Sequence, residues 1–363
     1  MTDIEGDQPD IGKQSDIGKQ SGIGERSGIG EESDLGERPG VGEQPDVGEQ
    51  PGVDGPPLAR TALDRAAQHR TDEGWLADAW KRGKVLLIDI EKGGRALVRD
   101  RADGSVELVL VDDAEAPEGT HYFLGVDRDD TPLFMIDTGL PELDGARPAT
   151  LRDTGHLLDA RDAGVFTAAA ALGNWHVSHL YSPRSGQPTR AIEGGWSRVD
   201  EDGQQMWPRT DPAMIVLVHD GVAGTEGRCL LGHNAAWGQA GNVRRFSCLA
   251  GFVEPGESAE AAVVREVAEE VGVRLRSLRY EASQSWPYPG SLMLGFTAVA
   301  DRAQQIVVDP EEIAEARWFT RTEIAQMIDD RYVEPESGVQ MNLPMRSSIA
   351  FYLIERWMAD FGR

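Results

Sequence analysis

The stretch GFVEPGESAEAAVVREVAEEVGV, residues 251–273, limits what this chain can fold into more than any other part. After Gly256 almost every residue is a good helix former. Glu257 or Ser258 can cap the N-terminus, and Gly272 can close the helix with a left-handed residue. Ala262, Val263, Val267 and Val271 are spaced to pack inward. Glu266, Glu269 and Glu270, at i, i+3 and i+4, share a face of their own. A helix that is apolar on one side needs a partner surface. Three carboxylates on another side need a reason.

Like charges at this spacing destabilise an isolated helix by about 0.2–0.5 kcal/mol per pair. A divalent cation between them reverses that sign, and carboxylate oxygens are the hard ligands that suit Mg2+ or Mn2+. Taken alone, the three glutamates also fit an ordinary solvated acidic face. Other chemistries have less support. His176 and His179 lie at i, i+3 but lack two further nitrogen or sulfur ligands nearby, which points to a structural or surface role. Walker-type phosphate loops are absent, and GGRAL at 93–97 is only a glycine-rich turn.

The full spacing is more specific. It runs Gly251, five residues, Glu257, seven residues, Arg265-Glu266-Val267, one residue, Glu269-Glu270, one residue, Gly272-Val273. This resembles the Nudix box at every defined position. The resemblance implies an α/β/α sandwich in which this helix presents metal ligands and Arg265 orients the glutamates, with Glu257 as its partner. A second motif, SQSWPYPGSLMLGF at 283–296, is similar to the SQPWPFPxS signature of the NADH pyrophosphatase subgroup. It departs from it at Ser285 and Tyr288. NWH at 174–176, EGGW at 193–196, WPRTDPAMIVLV at 207–218, VVDPEEIAEARWF at 307–319 and RSSIAFYLIERW at 346–357 extend the likeness over residues 57–360.

Carried over position by position, the resemblance implies metal ligation by the Ala250 carbonyl, Glu266, Glu269, Glu270 and Glu312, with Glu311 and Glu315 as neighbouring alternatives to Glu312. Arg265 and either Glu269 or Glu270 would serve catalysis, one of those glutamates as the base. Trp207 and Phe252 would stack the nicotinamide. Gln284, Ser285, Trp286, Pro287, Tyr288, Pro289, Gly290, Ser291 and Ala350 would complete the substrate pocket. The implied reaction is Mg2+- or Mn2+-dependent hydrolysis of NADH or NAD+ to NMNH or NMN and AMP, extending to NAD caps on RNA, in a homodimer. Hydrolysis of ADP-ribose or a dinucleoside polyphosphate, and an idle ligand sensor on the same fold, are the competing readings.

Composition narrows the partners. The formal net charge of −26 over 363 residues argues against broad binding to a phosphate backbone, so RNA would need a local basic patch. No apolar run is long enough to span a bilayer, and the acidic start MTDIEGDQPD lacks a signal-peptide pattern; a cytoplasmic protein without a membrane partner is expected. Cys229 and Cys248 read as buried reduced thiols.

Four parts are expected along the chain. Residues 1–56 form a hexapeptide repeat (DIGKQS, DIGKQS, GIGERS and onward) with one aliphatic residue per hexad. Fourteen acidic and four basic residues give its first 55 positions −10 of the total charge. Disorder is the expectation, a short left-handed β-helix the alternative. Residues 57–170 read as an α+β domain without a catalytic constellation, starting with a helix over 58–70 and continuing in β-like runs at 84–90, 93–100, 106–113, 121–129 and 131–139. A helix over 162–180 leads into 171–208. There YSPRSG (181–186) and SRVDEDG (197–203) are spaced like zinc knuckles but hold Ser182, Ser185, Val199 and Asp202 at the ligand positions. A degenerate ribbon without structural zinc is expected, packed through Pro188 and Trp196. Residues 209–363 complete the catalytic part with a C-terminal helix.

Overall fold

The computed structural model describes residues 55–237 and 242–360; the hexapeptide repeat lies outside them. The apolar run at 85–88 becomes the middle of a mixed sheet. Its strand β1 (Lys84–Asp89) is antiparallel to β2 (Arg95–Asp100) and parallel to β6 (Pro132–Asp137). With β3 (Val106–Leu108) and β5 (His121–Val126) the order is β3-β2-β1-β6-β5. Strands β4 (Val111–Asp112) and β7 (Arg147–Thr150) pair with β1 and β2 off that path. Alternate residues of β1 enter different cores. Val85 and Leu87 pack with Phe123 and Phe134 beside helix α1 (Glu73–Trp80). Leu86 and Ile88 pack with Phe166 and Leu172 of α3 (Ala160–Ser178), which follows the single turn α2 (Leu151–Thr154). Burial on both faces explains why the run shows no polar alternation.

The expected helix over 58–70 does not form. Residues 57–59 and 67–69 are single 3-10 turns, and between them Asp64 pairs with Val126 at the sheet edge. The Asp64 carboxylate accepts the Ala66 N–H at 2.8 Å, and Ala66 turns left-handed at φ 42°. Leu58 and Leu63 join the α3 core, whereas Ala66 joins the opposite one. These apolar residues therefore share no single face, and edge pairing with a local aspartate turn outcompetes the helical pattern.

The serine loops lead into a three-stranded ribbon of β8 (Thr189–Ile192), β9 (Ser197–Asp200) and β10 (Gln205–Met206). Its ligand-like positions need correcting. Asp200, not Val199 or Asp202, faces the serines: Ser185 Oγ donates to its carboxylate at 2.7 Å. Ser182 Oγ accepts the Ser185 N–H at 3.4 Å, and Asp200 also accepts the Gln204 N–H at 2.8 Å. The Asp202 carboxylate turns to Gln187 instead. A shift of one residue along a strand reverses the face, which is how the register was misread. Trp196 anchors the ribbon by donating from Nε1 to the Phe123 carbonyl at 2.6 Å, and Pro188 pairs with Tyr181.

The second large sheet has the order β15-β16-β11-β12-β17. These are β11 (Asp211–His219), β12 (Arg228–Asn234), β15 (Leu275–Trp286), β16 (Ser291–Ala300) and β17 (Ile313–Thr320), with β14 (Leu249–Phe252) paired to β11. A small parallel pair, β13 (Val243–Arg245) and β18 (Gln340–Asn342), lies beside it. Met214, Val216 and Val218 face helix α4 (Ala259–Val271). Ile215 and Leu217 face α5 (Arg321–Ile328) and α6 (Ile349–Ala359), making an α/β/α sandwich. Cys229 and Cys248 are buried, unbridged thiols in the α6 core.

Both sheets share one plan. An antiparallel hairpin lies parallel to a central strand, which pairs antiparallel with the next: β5-β6-β1-β2 in the first, β15-β16-β11-β12 in the second. Between β4 and β5 of the first sheet there is only the 3-10 turn Asp113–Glu115, where the second inserts α4 before its hairpin. Among the described residues no helix is long and apolar enough to cross a membrane.

Candidate active site

Helix α4 starts at Ser258, whose hydroxyl accepts the Ala261 N–H at 3.1 Å, and ends at Gly272 with φ 69°. Val263, Val267 and Val271 are fully buried against the sheet. Each contributes roughly 1.5–3 kcal/mol, which outweighs the few tenths lost per glutamate pair on the other face. The inward packing therefore holds the acids together despite their repulsion.

Arg265 distributes them. Its Nε and Nη2 donate to the two carboxylate oxygens of Glu257, both at 2.9 Å. Its Nη1 donates to Glu266 at 2.9 Å and Glu269 at 3.0 Å, and Nη2 also reaches the Phe252 carbonyl at 3.0 Å. The bidentate bond to Arg265 holds Glu257 below the usual carboxylate range, and that bond in turn raises the arginine. Gly251 makes room for the arrangement: a Cβ there would lie 2.0 Å from the Glu266 carboxylate.

Glu266 and Glu270 are buried, while Glu269 and Glu312 are exposed. Burial raises Glu266, with Arg265 opposing. Burial, then the charges of Glu266 and Glu312, pushes Glu270 up to about 8, with the Ala250 N–H opposing. Glu270 Oε2 has no hydrogen-bond partner. An orphaned buried oxygen among repelling carboxylates is what a bound cation would satisfy, and the donors are all hard oxygens, so the residues fit Mg2+ or Mn2+. Among the described residues no three acidic, imidazole or thiol groups already converge at ligating distance. Arg265 holds one oxygen of each neighbour, Oε1 of Glu266 and Oε2 of Glu269.

Beside this cluster lies a cavity of about 400 Å3. Ala250 and Glu270 line one part of it, and Trp286, Ala350, Arg152 and Arg245 line others. The rest of the proline-rich loop is tied from behind. Gln284 is buried, its Oε1 accepting the Leu58 N–H and its Nε2 donating to the Ser347 carbonyl, both at 3.2 Å. The Pro287 carbonyl accepts from Asn174 at 2.8 Å, and the Gly290 carbonyl accepts the Asp211 N–H at 2.9 Å. Ser285 and Ser291 sit in the β15–β16 hairpin, opposite Leu292 and Trp286. Pro289 lies on the adjoining surface beside Arg209. Tyr288 accepts the Arg152 N–H at 3.2 Å, and the Arg152 guanidinium lies 4.0 Å over its ring. Trp207 and Phe252 stand outside the cavity, each 60% exposed.

Sequence reasoning passed over Arg152, which comes from the first domain and has no local motif, and Arg245. It expected no metal role for His176. Its ring is buried, with Nε2 2.9 Å from the Gly195 carbonyl and Nδ1 2.8 Å from Arg198, and it stacks on Tyr122. Burial, then Arg198, pushes it down to about 4, so it is neutral at pH 7.

A glutamate-bearing helix clamped by an arginine, laid on a mixed sheet of this order, is the layout of a Nudix domain. Residues 210–336 match the family described as NUDIX domain, and residues 80–175 match the NADH pyrophosphatase-like rudimentary NUDIX domain. NAD-capped RNA hydrolase NudC of Mycobacterium tuberculosis is 39% identical over 310 residues, covering 84% of this chain and 95% of that protein. The human mitochondrial NAD(P)H pyrophosphatase NUDT13 is 38% identical over 214 residues, covering 57% of this chain and 58% of its own. NAD-capped RNA hydrolase NUDT12 of Macaca fascicularis is 38% identical over 214 residues, 55% of this chain and 43% of that one. The chain belongs to the NADH pyrophosphatase family of Nudix hydrolases. The rudimentary character of the first domain has a physical counterpart: it repeats the sheet and omits the acid helix.

Proposed function

We propose that this chain hydrolyses the diphosphate of NADH and NAD+, releasing AMP and NMNH or NMN, and removes NAD caps from RNA 5′ ends. The observation that carries the reading is the buried Glu270 carboxylate, its Oε2 without a hydrogen-bond partner, at one end of a cavity walled by Trp286 and Arg152. It brings a hydrolytic centre, an aromatic face and a cation into one space.

Ala250, Glu266, Glu269, Glu270 and Glu312 are the residues that would hold Mg2+ or Mn2+. When bound there, such an ion supplies charge neutralisation of the diphosphate and acidification of water. The chain's own residues do the rest. Arg265, braced by Glu257, holds Glu266 and Glu269 in place. Glu269 or Glu270 accepts the proton of the attacking water, and the free Oε2 of Glu270 is the better placed oxygen. Arg152 faces the substrate phosphates from the first domain and keeps the ring of Tyr288 fixed. Trp207 and Phe252 stack the nicotinamide, and their exposure suits a site completed in a homodimer. Cytoplasmic location goes with the nucleotide substrate.

The test is product analysis with NADH, NAD+ and ADP-ribose in the presence of Mg2+ or Mn2+. AMP and NMNH from NADH, at higher kcat/KM than ADP-ribose turnover, is the expected result. Equal or faster ADP-ribose hydrolysis would overturn the substrate assignment.

A further inference from the structure

A second cavity, of about 490 Å3, lies beyond Gln284. Arg60, Arg65, Arg70 and Arg209 line it, together with Trp196 and Ser285, and no Asp or Glu is among the described residues of its wall. In a chain of net charge −26 that is an unusual concentration of positive charge. The arginines are held by other means than acids. Arg70 lies 3.8 Å over the Trp196 ring and Arg65 lies 5.5 Å over it. Arg60 donates to the carbonyls of Pro57 and Gly155, both at 3.0 Å. Among the described residues Arg60, Arg65 and Arg70 make no ion pair; Glu193 acts on Arg70 and Asp159 on Arg60 only through space. Arg209 alone has a carboxylate, Asp211 at 2.6 Å. Arg70 Nε has no hydrogen-bond partner. Crowding by protein atoms lowers Arg60, Arg65 and Arg70 from their ordinary pKa, while Arg65 keeps an exposed face. Three gathered guanidiniums without an ion-pair partner attract an anion.

The position suggests which anion. Gln284 and Ser285 line this cavity, and Trp286, the next residue of β15, lines the catalytic one. From Gln284 to Trp286 is only ~7 Å along a strand. Arg60 bonds Gly155 in the same turn region that carries Arg152 into the catalytic cavity. We propose that the arginine cavity grips the phosphate backbone of an RNA whose 5′ NAD cap occupies the catalytic cavity. The inference rests on the decapping reading above.

The test compares NADH with a short synthetic NAD-capped RNA for the wild type, Arg65→Glu and Arg65→Lys, with thermal melts as a folding control. Charge reversal should raise KM for capped RNA roughly tenfold and flatten the dependence of log kcat/KM on log salt by about one. NADH turnover should stay unchanged, and Arg65→Lys should behave like the wild type. Equal loss on both substrates, or loss on neither, would overturn the proposal. A wild type that hydrolyses NADH but not capped RNA would overturn it as well, leaving the diphosphatase reading intact. A wild type active on neither removes both.

Discussion

Replacing Glu270 by glutamine should stabilise the metal-free protein, and more so as the pH rises. Burial, with Glu266 and Glu312 nearby, holds this carboxyl at about 8 in the fold against an ordinary 4.5. Between those values the folded chain retains a proton that the unfolded chain releases, so stability falls as pH rises through the window. The loss is under about 1 kcal/mol at pH 5, roughly 3 kcal/mol at pH 7 and roughly 5 kcal/mol above pH 8. Glutamine keeps the shape and never charges, so the variant avoids this loss. At about 2 °C per kcal/mol for a chain of this size, Tm should rise by ~6 °C at pH 7 and hardly at all at pH 5. Thermal melts of both proteins in chelator, from pH 5 to pH 9, measure the difference. Adding Mg2+ or Mn2+ should reverse it, because the ion stabilises the wild type by mass action and finds a weakened site in the variant. A Tm difference that stays flat with pH, or a less stable variant at pH 8, would refute the reasoning.

Gly251→Ala places a methyl group on the Glu266 carboxylate, and hydrolysis should fall ~100-fold with circular dichroism unchanged. Arg265→Lys keeps one charge but loses the fork that holds Glu257, Glu266 and Glu269; activity or metal affinity should drop about 10–100-fold, read by kcat and metal titration. His176, held at about 4 against an ordinary 6.5, should stay neutral by ring NMR down to that pH. Its contribution to stability is complete above 6.5 and lost as the pH falls toward 4. Elemental analysis should find no stoichiometric zinc; one zinc per chain held by the serine loops would refute the zinc-less reading of the ribbon.

What could be read in advance was whatever one continuous segment carries. Helix α4 has its caps, buried face and acids within residues 251–273, so local pattern was enough. The β1 run was similarly self-contained. The helix expected at 58–70 failed because its apolar residues serve two cores on opposite faces of a sheet, which spacing cannot reveal. Arg152 was invisible because its aromatic partner lies 136 residues away. Asp200 is one residue from the expected position because which side of β9 meets Ser185 follows from its pairing with β8, not from composition.

The two hydrogen bonds of Gln284 bear on how the enzyme matures. They join a residue near the start of the described chain, Leu58, to one near its end, Ser347, and Ser347 Oγ also holds the Arg152 carbonyl at 2.7 Å. Synthesis runs from the N-terminus, and domains can fold as they emerge. The first domain and the acid helix can therefore take shape early, while the wall between the two cavities waits for the last residues. A chain truncated before Ser347 would keep every glutamate of the box and still lack that clasp, so incomplete products would bear the hydrolytic residues without a finished substrate site.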